Sequence, residues 1–296
     1  MATNWSPNRL GNLSGKRIVV TGATNGVGLA TARTLSRAGA HVILAVRNLD
    51  LGAQRAAEMG GDTSVVKLDL ADLSSVRAFP DLLEGDVDIL INNAGLVAQN
   101  RRETVDGFEI TLGTNFLGPF ALTNLLFERV RSKIINVGSD AHRSATIDFD
   151  DPHLRSKKWK AFPAYGRSKL AVMLWGLELD RRLRAAGSPI TSFLTHPGWV
   201  ASNLSNVSDK PVMAAFHSVV RAAAGVLAND LDAGAAPTLY CITEPIPPGS
   251  YVGIDSRYRL KGAPTLSGRA GAACDYVDAR MLWEFAEKET GTRLPV

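Results

Sequence analysis

Cysteine is scarce in this sequence. The 296 residues contain two, Cys241 and Cys274. That is too few for a disulfide framework, and their spacing suits no thiolate metal cage. Two reduced thiols fit a cytoplasmic protein, the compartment expected here. Long hydrophobic runs are missing as well. No stretch of ~18 uninterrupted apolar residues occurs, so no transmembrane segment is expected. The first residues, Met1 to Gly15, are polar and rich in Asn and Ser, without the basic-then-apolar order of a signal peptide. An excess of either charge is missing too. Lys and Arg number 33 against 29 Asp and Glu, a net +4. The charges are interspersed, which excludes a nucleic-acid-binding stripe. The sequence pI of about 9.1 favours anionic ligands only mildly. No ligand cluster for a metal stands out, and there is no internal repeat, low-complexity tract or linker.

What is present is an ordinary globular composition, 45% hydrophobic and 21% charged, in which strand-like and helix-like segments alternate. Short β-branched runs predict strands at Lys16–Thr21, His41–Val46, Ser64–Leu68, Val87–Ile91, Lys133–Val137, Ile190–Leu194 and Tyr251–Gly253. Helices are expected from Val27 to Ala38, stopped by Gly39, and from a cap at Asp50 to Met59, broken by Gly60 and Gly61. Others open at Asp72 and run over Gly107–Arg129 with a kink at Pro119, over Ala164–Ala186 closed by Gly187, and over Leu231–Ile242 and Ala279–Glu289. The order points to an α/β fold. One doubly wound, Rossmann-like parallel sheet of about seven strands carries helices on both faces, within a single domain over residues 1–296. Residues 14–140 form its cofactor half and 141–296 its catalytic and substrate-covering half. The Ala- and Val-rich stretch Pro211 to Ala228, interrupted by His217 and Arg221, reads as a buried or substrate-covering helix in preference to a membrane-surface one.

The first strand ends in Thr21-Gly22-Ala23-Thr24-Asn25-Gly26-Val27-Gly28. Glycines let backbone amides approach a ligand closely, and a helix N-terminus adds free N–H groups and a positive dipole end, a setting suited to pyrophosphate. The second strand ends in Ala45-Val46-Arg47-Asn48. An acid at such a strand end would accept the ribose hydroxyl of NAD. Arg47 stands there instead, and its fork of donors suits a 2′-phosphate, so NADP(H) is expected over NAD(H). Tyr165 and Lys169 are four residues apart on a predicted helix and share a face. A tyrosine with a pKa near ~10 is a poor base at neutral pH; a neighbouring ammonium is expected to lower it toward the range that acid–base catalysis needs.

Thr21-Gly22-x-x-x-Gly26-x-Gly28, Asn92-Asn93-Ala94-Gly95, Ser139, Tyr165-x-x-x-Lys169 and Pro197-Gly198 occur in the order found in short-chain dehydrogenases/reductases. The resemblance runs from about Leu13 to the C-terminal helix. Within that family the chain looks like the retinol dehydrogenase-like and WW-domain oxidoreductase-like branch, through Leu44-Ala45-Val46-Arg47-Asn48, Asp140-Ala141-His142, Ile147-Asp148-Phe149-Asp150-Asp151 and Thr195-His196-Pro197-Gly198. The resemblance implies that Gly22, Thr24, Asn25, Gly26, Val27 and Gly28 hold the phosphates, and that Asp69 and Leu70 flank the adenine. Asn92, Ala94 and Gly95 would line the ribose and the cofactor backbone. Pro197, Gly198, Val200 and Ser202 would meet the nicotinamide end, with Ser202 where the family usually has threonine. Tyr165 would transfer the proton, Ser139 would bond the substrate oxygen, and Lys169 would also hold the nicotinamide ribose. Asn115 would position a water that relays protons to the lysine. Family members are commonly dimers or tetramers.

The expected activity is NADP(H)-dependent carbonyl reduction or alcohol oxidation on a fairly apolar small molecule. A non-catalytic NADP(H)-sensing protein on the same fold is the alternative, although such a protein would be expected to lose Tyr165 or Lys169. A sugar-nucleotide epimerase would usually show Gly-x-x-Gly-x-x-Gly, which is absent. A hydrolase built on Ser139 and His196 lacks the Gly-x-Ser-x-Gly elbow. His142 and His196 are read as structural or supporting histidines near the site.

Overall fold

The computed structural model describes residues 5–198, 231–255 and 262–296. The expectations for Val200, Ser202 and the segment from Pro211 to Ala228 lie outside those residues. Among the described residues eight strands form one sheet in the order β3-β2-β1-β4-β5-β6-β7-β8. They are β1 (Arg17–Thr21), β2 (His41–Val46), β3 (Thr63–Lys67), β4 (Val87–Asn92), β5 (Val130–Val137), β6 (Thr191–Thr195), β7 (Tyr251–Ile254) and β8 (Pro264–Leu266). The first seven run parallel; β8 pairs antiparallel with β7 through Val252–Leu266 and Ile254–Pro264. This edge strand was not anticipated. Three residues beginning with a proline carry little strand signal, and proline is tolerated there because an edge strand has a side without ladder bonds.

The described helices are α1 (Gly26–Arg37), α2 (Leu49–Met59), α3 (Leu73–Leu82), α4 (Ile110–Arg129), α5 (Ala161–Ala185), α6 (Leu231–Thr243) and α7 (Tyr276–Thr290). Strand side chains alternate faces, and in a doubly covered parallel sheet both faces must be apolar. Val19, Ile43 and Leu90 accordingly join a core with α3, α4, α5 and α7. Their neighbours Ile18, Val20, Val42, Leu44, Ile89 and Ile91 join a second core with α1, α2 and α6. Each such side chain, fully buried, stabilises the fold by roughly 1.5–3 kcal/mol relative to exposure.

Three local expectations need correction. Asn48, not Asp50, caps α2: its side chain accepts from Leu51 N at 3.0 Å, while Asp50 lies in the first turn. The long helix begins at Ile110 rather than Gly107, whose φ of +83° is incompatible with a right-handed helix. Pro119 does not simply kink it. A π turn over Gly113–Leu117 widens the helix immediately before the segment Gly118–Leu126. Pro119 has no N–H to give the Asn115 carbonyl, so the regular ladder is interrupted at that point in any case. α4 is long and apolar enough to cross a membrane by length and composition. Here that character is explained by burial, with Phe116, Leu117 and Phe120 wholly enclosed.

β1 connects outward to β2 and β3, whereas the chain then crosses to β4 on the other side of β1. The strand order therefore reverses between β1 and β4, and the crevice beyond the carboxyl ends of such strands is where open α/β sheets bind ligands.

Candidate active site

At that reversal lies a cleft of about 430 Å³. One end is built almost entirely from backbone. Gly22 has φ +68°, and a Cβ there would stand 2.9 Å from the Ala94 Cα. A Cβ on Gly28 would stand 2.3 Å from Asn93 Nδ2 and 2.5 Å from the Gly22 carbonyl oxygen. Glycine is thus required at both positions for strand end, loop and helix to approach one another. Thr24, Asn25, Gly26 and Val27 complete this wall at the N-terminus of α1.

The Thr21 hydroxyl, fully buried, ties the two strand ends together. It accepts from the backbone N–H groups of Asn93 and Ala94, each at 3.0 Å, while Asn93 Nδ2 donates to the Thr21 carbonyl at 2.9 Å. Arg47, Asp69, Leu70, Ala94 and Gly95 also line the cleft. Arg47 is exposed and its carbonyl accepts from Lys67 Nζ at 2.7 Å, which sets a second cation beside the end of β2. Asn92 does not belong to this lining. Its side chain is buried behind the strand end, donating to Thr123 Oγ1 at 3.0 Å and Asn136 Oδ1 at 2.9 Å.

The other end of the cleft is made of side chains. Ser139 follows β5, and its hydroxyl accepts from Ala141 N at 3.2 Å and also bonds the Tyr165 phenol. Tyr165 and Lys169 project from the first half of α5, with Lys169 Nζ 5.8 Å from the Tyr165 ring centre. Lys169 is buried, and its ammonium donates to the Val137 carbonyl at 2.8 Å. Burial pushes the Lys169 pKa down to about 8. Burial also pushes the Tyr165 phenol up, opposed by the Ser139 hydrogen bond. The lowering of Tyr165 by Lys169 expected from their spacing is therefore not a property of the protein alone. Desolvation disfavours the charged form of each group.

Asn115 sits in the π turn, but not with a free side chain. Its amide clamps the Leu96 backbone from both sides, accepting from Leu96 N at 2.8 Å and donating to Leu96 O at 3.0 Å, with a further bond to Ser168 Oγ at 2.9 Å. The side chain thus fixes the loop after β4. Pro197 lines the reactive end, and Gly198 next to it has φ +73° and donates its N–H to His196 Nδ1 at 3.1 Å.

The glycine cradle and the α1 N-terminus fit a dinucleotide pyrophosphate, and the polar trio at the other end fits a group that exchanges hydride beside a proton donor. Comparison with known proteins agrees with this chemistry. The family model described as short chain dehydrogenase matches residues 16–211. The chain belongs to the short-chain dehydrogenase family. Among curated relatives, human retinol dehydrogenase 13 is 42% identical over 204 residues, covering 65% of this chain and 61% of that protein. Mouse polyprenol dehydrogenase is 42% identical over 206 residues, 64% of this chain and 61% of that protein. The chain thus spans less than two thirds of the length of these relatives. A solved structure of an uncharacterised protein from Mycobacterium paratuberculosis shares 40% identity over 99% of this chain and 100% of that one, with a TM-score of 0.86. The NADP complex of Pseudomonas aeruginosa RhlG, 24% identical over 86% of this chain and all of that one, has a TM-score of 0.66 and shares the fold.

Several groups that shape this short-chain dehydrogenase site had no role assigned from sequence. The Thr21 hydroxyl and the Asn93 amide are two; their signal was polarity at the ends of otherwise apolar strands. Thr114, Leu96 and Val97 also line the cleft, and nothing in their sequence context marks them out.

Proposed function

We propose that this short-chain dehydrogenase is an NADP(H)-dependent oxidoreductase interconverting an alcohol and a carbonyl on an apolar small molecule, with Tyr165 as its general acid and base. The observation that carries the reading is convergence: Tyr165 and Lys169 line one end of the cleft whose other end is the glycine cradle, and the Ser139 hydroxyl bonds the Tyr165 phenol there. Arg47 would hold the 2′-phosphate, the glycine loop the pyrophosphate, and Lys169 the nicotinamide ribose. The dinucleotide supplies the hydride when bound, and in its oxidised form a positive ring charge.

The chain's own groups handle the proton. Ser139 bonds the substrate oxygen and holds it against the Tyr165 Oη. In reduction Tyr165 gives its proton to that oxygen; in oxidation it removes it. A phenol held high by burial is a fitting donor. For the reverse direction the Lys169 ammonium and the cofactor's positive charge must offset the desolvation that disfavours the phenolate. The Asn115 carbonyl, which lacks its α-helical partner because residue 119 is proline, is the group we assign to the proton-relay water, since the Asn115 side chain is bonded to Leu96 and Ser168. Leu96, Val97 and Val137 at the cleft wall support an apolar substrate, as do the names of the retinol and polyprenol dehydrogenases among the relatives.

The test is a panel of apolar aldehydes and ketones followed by NADPH absorbance. Turnover is expected, and Tyr165→Phe should reduce kcat by at least ~100-fold while NADPH affinity stays within a few-fold. Unchanged turnover in Tyr165→Phe would refute the mechanism. Tight NADPH binding without turnover of any carbonyl would favour the sensing-protein reading.

A further inference from the structure

Beside the reactive end lies a half-buried polar network that the proton chemistry does not use. Asp140 directly follows Ser139. Its Oδ1 accepts from the Tyr251 phenol of β7 at 3.1 Å and from Arg143 Nε at 2.9 Å, and its Oδ2 stands 3.4 Å from His196 Nε2. His196, buried at the end of β6, accepts the Gly198 N–H on Nδ1 at 3.1 Å. An Nδ1 that accepts must place the proton of a neutral ring on Nε2, the atom facing Asp140. The imidazole therefore bridges two loops. Nδ1 hydrogen-bonds the Gly198 N–H at 3.1 Å, and Nε2 stands at ion-pair distance, 3.4 Å, from the carboxylate of the residue after Ser139.

We propose that Asp140 and His196 are positioning residues that lock the Pro197-Gly198 turn to the Ser139 strand end and so fix the nicotinamide end of the cleft relative to the Tyr165 phenol. The proposal rests on the oxidoreductase reading for its kinetic consequence, but its structural half does not depend on turnover. Ser139 and Pro197 follow the neighbouring strands β5 and β6, whose pairing ends at Val137 and Thr195 with one further backbone bond from Gly138 N to the Thr195 carbonyl at 2.7 Å. Past Gly138, the Asp140–His196 contact is a side-chain link between the two loops. Gly198 has φ +73°, a conformation open to glycine without strain, and its N–H is the group that His196 Nδ1 accepts. The Asp140 carboxyl lies below its ordinary range: burial raises it, and the nearby His196 and Arg143 outweigh that, so an anion faces the His196 N–H at neutral pH.

The experiment compares the unmodified protein with Asp140→Asn, His196→Gln, His196→Asn and the Asp140→Asn/His196→Gln double variant, using two readouts. One is the fluorescence of bound NADPH together with its Kd. The other is kcat, with the primary isotope effect from NADPH deuterated at the transferred position. His196→Gln keeps a donor toward Asp140 but cannot also accept from Gly198 in the same pose; His196→Asn does the reverse. Each single variant should lower kcat about tenfold or more, since small misplacements of reacting groups are costly. Each should also raise the isotope effect and move NADPH emission toward that of the free dinucleotide, with Kd within about threefold. The double variant should be no worse than the poorer single, the signature of one shared bridge. Unchanged emission and isotope effect in all variants, or losses that simply add, would overturn the proposal even if the melting temperature fell. If the unmodified protein turns over no carbonyl, the oxidoreductase reading has failed. The emission shift then still decides for or against the bridge.

Discussion

The two ends of the cleft are built on opposite principles. The glycine end is shaped by what is missing: Cβ atoms at Gly22 and Gly28 would meet backbone at 2.9 and 2.5 Å, so affinity for a phosphate there depends on unobstructed amides. The reactive end is shaped by what is enclosed. An ammonium and a phenol are both held where burial disfavours their charged forms, and hydrogen bonds to Val137 and Ser139 hold them in place. Damage at the first end is therefore steric and should appear as lost binding. Damage at the second is electrostatic and should appear as altered chemistry, often with a gain in stability.

The sharpest challenge to the steric half is Gly28→Ala. One methyl group would overlap the Gly22 carbonyl and the Asn93 amide, and that amide is itself anchored on the Thr21 carbonyl at 2.9 Å. The loop must shift, and NADPH affinity should fall about 100-fold or more. Overpacking should also lower stability by roughly 1–3 kcal/mol. Calorimetric titration and thermal unfolding measure the two effects. Retained affinity would mean that the loop is not the phosphate cradle.

The electrostatic half predicts a pH dependence with a definite sign. Lys169 titrates near 8 in the folded chain instead of its ordinary 10.5. Below about pH 8 it is charged in both folded and unfolded chains, and the desolvation penalty weighs on the folded state. Between about 8 and 10.5 the unfolded chain binds the extra proton, so stability should rise with pH. The gain is up to roughly 3 kcal/mol across that window. Tyr165, raised by burial, acts oppositely above pH ~10, where the unfolded chain ionises first. Urea unfolding from pH 7 to 10 should therefore show the unmodified protein gaining on Lys169→Met. Parallel curves would show that Lys169 is not desolvated.

Much of this contrast could be read from the sequence at the glycine end and less at the reactive end. Gly22, Gly26 and Gly28 fall between an apolar strand and a helix, a local pattern, and His41–Val46 follows the residues expected for it. Tyr165 and Lys169 could be paired by helical spacing. Their electrostatics could not, because burial depends on Gly95, Val137 and other residues far away in the chain. Asn115 illustrates the limit. The resemblance assigned it a relay water without saying which atom holds it; the side chain is committed to Leu96, and the carbonyl left without an α-helical partner follows from Pro119 and a π turn that no local pattern announces. The substitution of Asn48 for Asp50 as the α2 cap was a smaller miss, one between two residues of equal capping propensity.

Arg47 tests whether the glycine end also chooses its dinucleotide. Arg47→Asp removes a cation and adds an anion at the end of β2, where Lys67 remains close by. A charge-assisted hydrogen bond contributes about 1.5–3 kcal/mol, so NADPH should bind about 10- to 100-fold more weakly while NADH gains or holds. Kd values for both dinucleotides in both proteins give the answer, and equal affinities in the unmodified protein would remove the NADP assignment while leaving the fold-level reading intact.

The adjacent Asn48 separates recognition from scaffolding at the same strand end. Its side chain is already occupied by Leu51 N at 3.0 Å, whereas the Arg47 guanidinium extends from an exposed position at the cleft. Asn48→Ala should therefore behave as the loss of a helix cap, about 1 kcal/mol of stability, with NADPH and NADH affinities falling together by less than about threefold. A loss confined to NADPH would place Asn48 in the phosphate site and show that this end, too, uses side chains that serve fold and ligand at once.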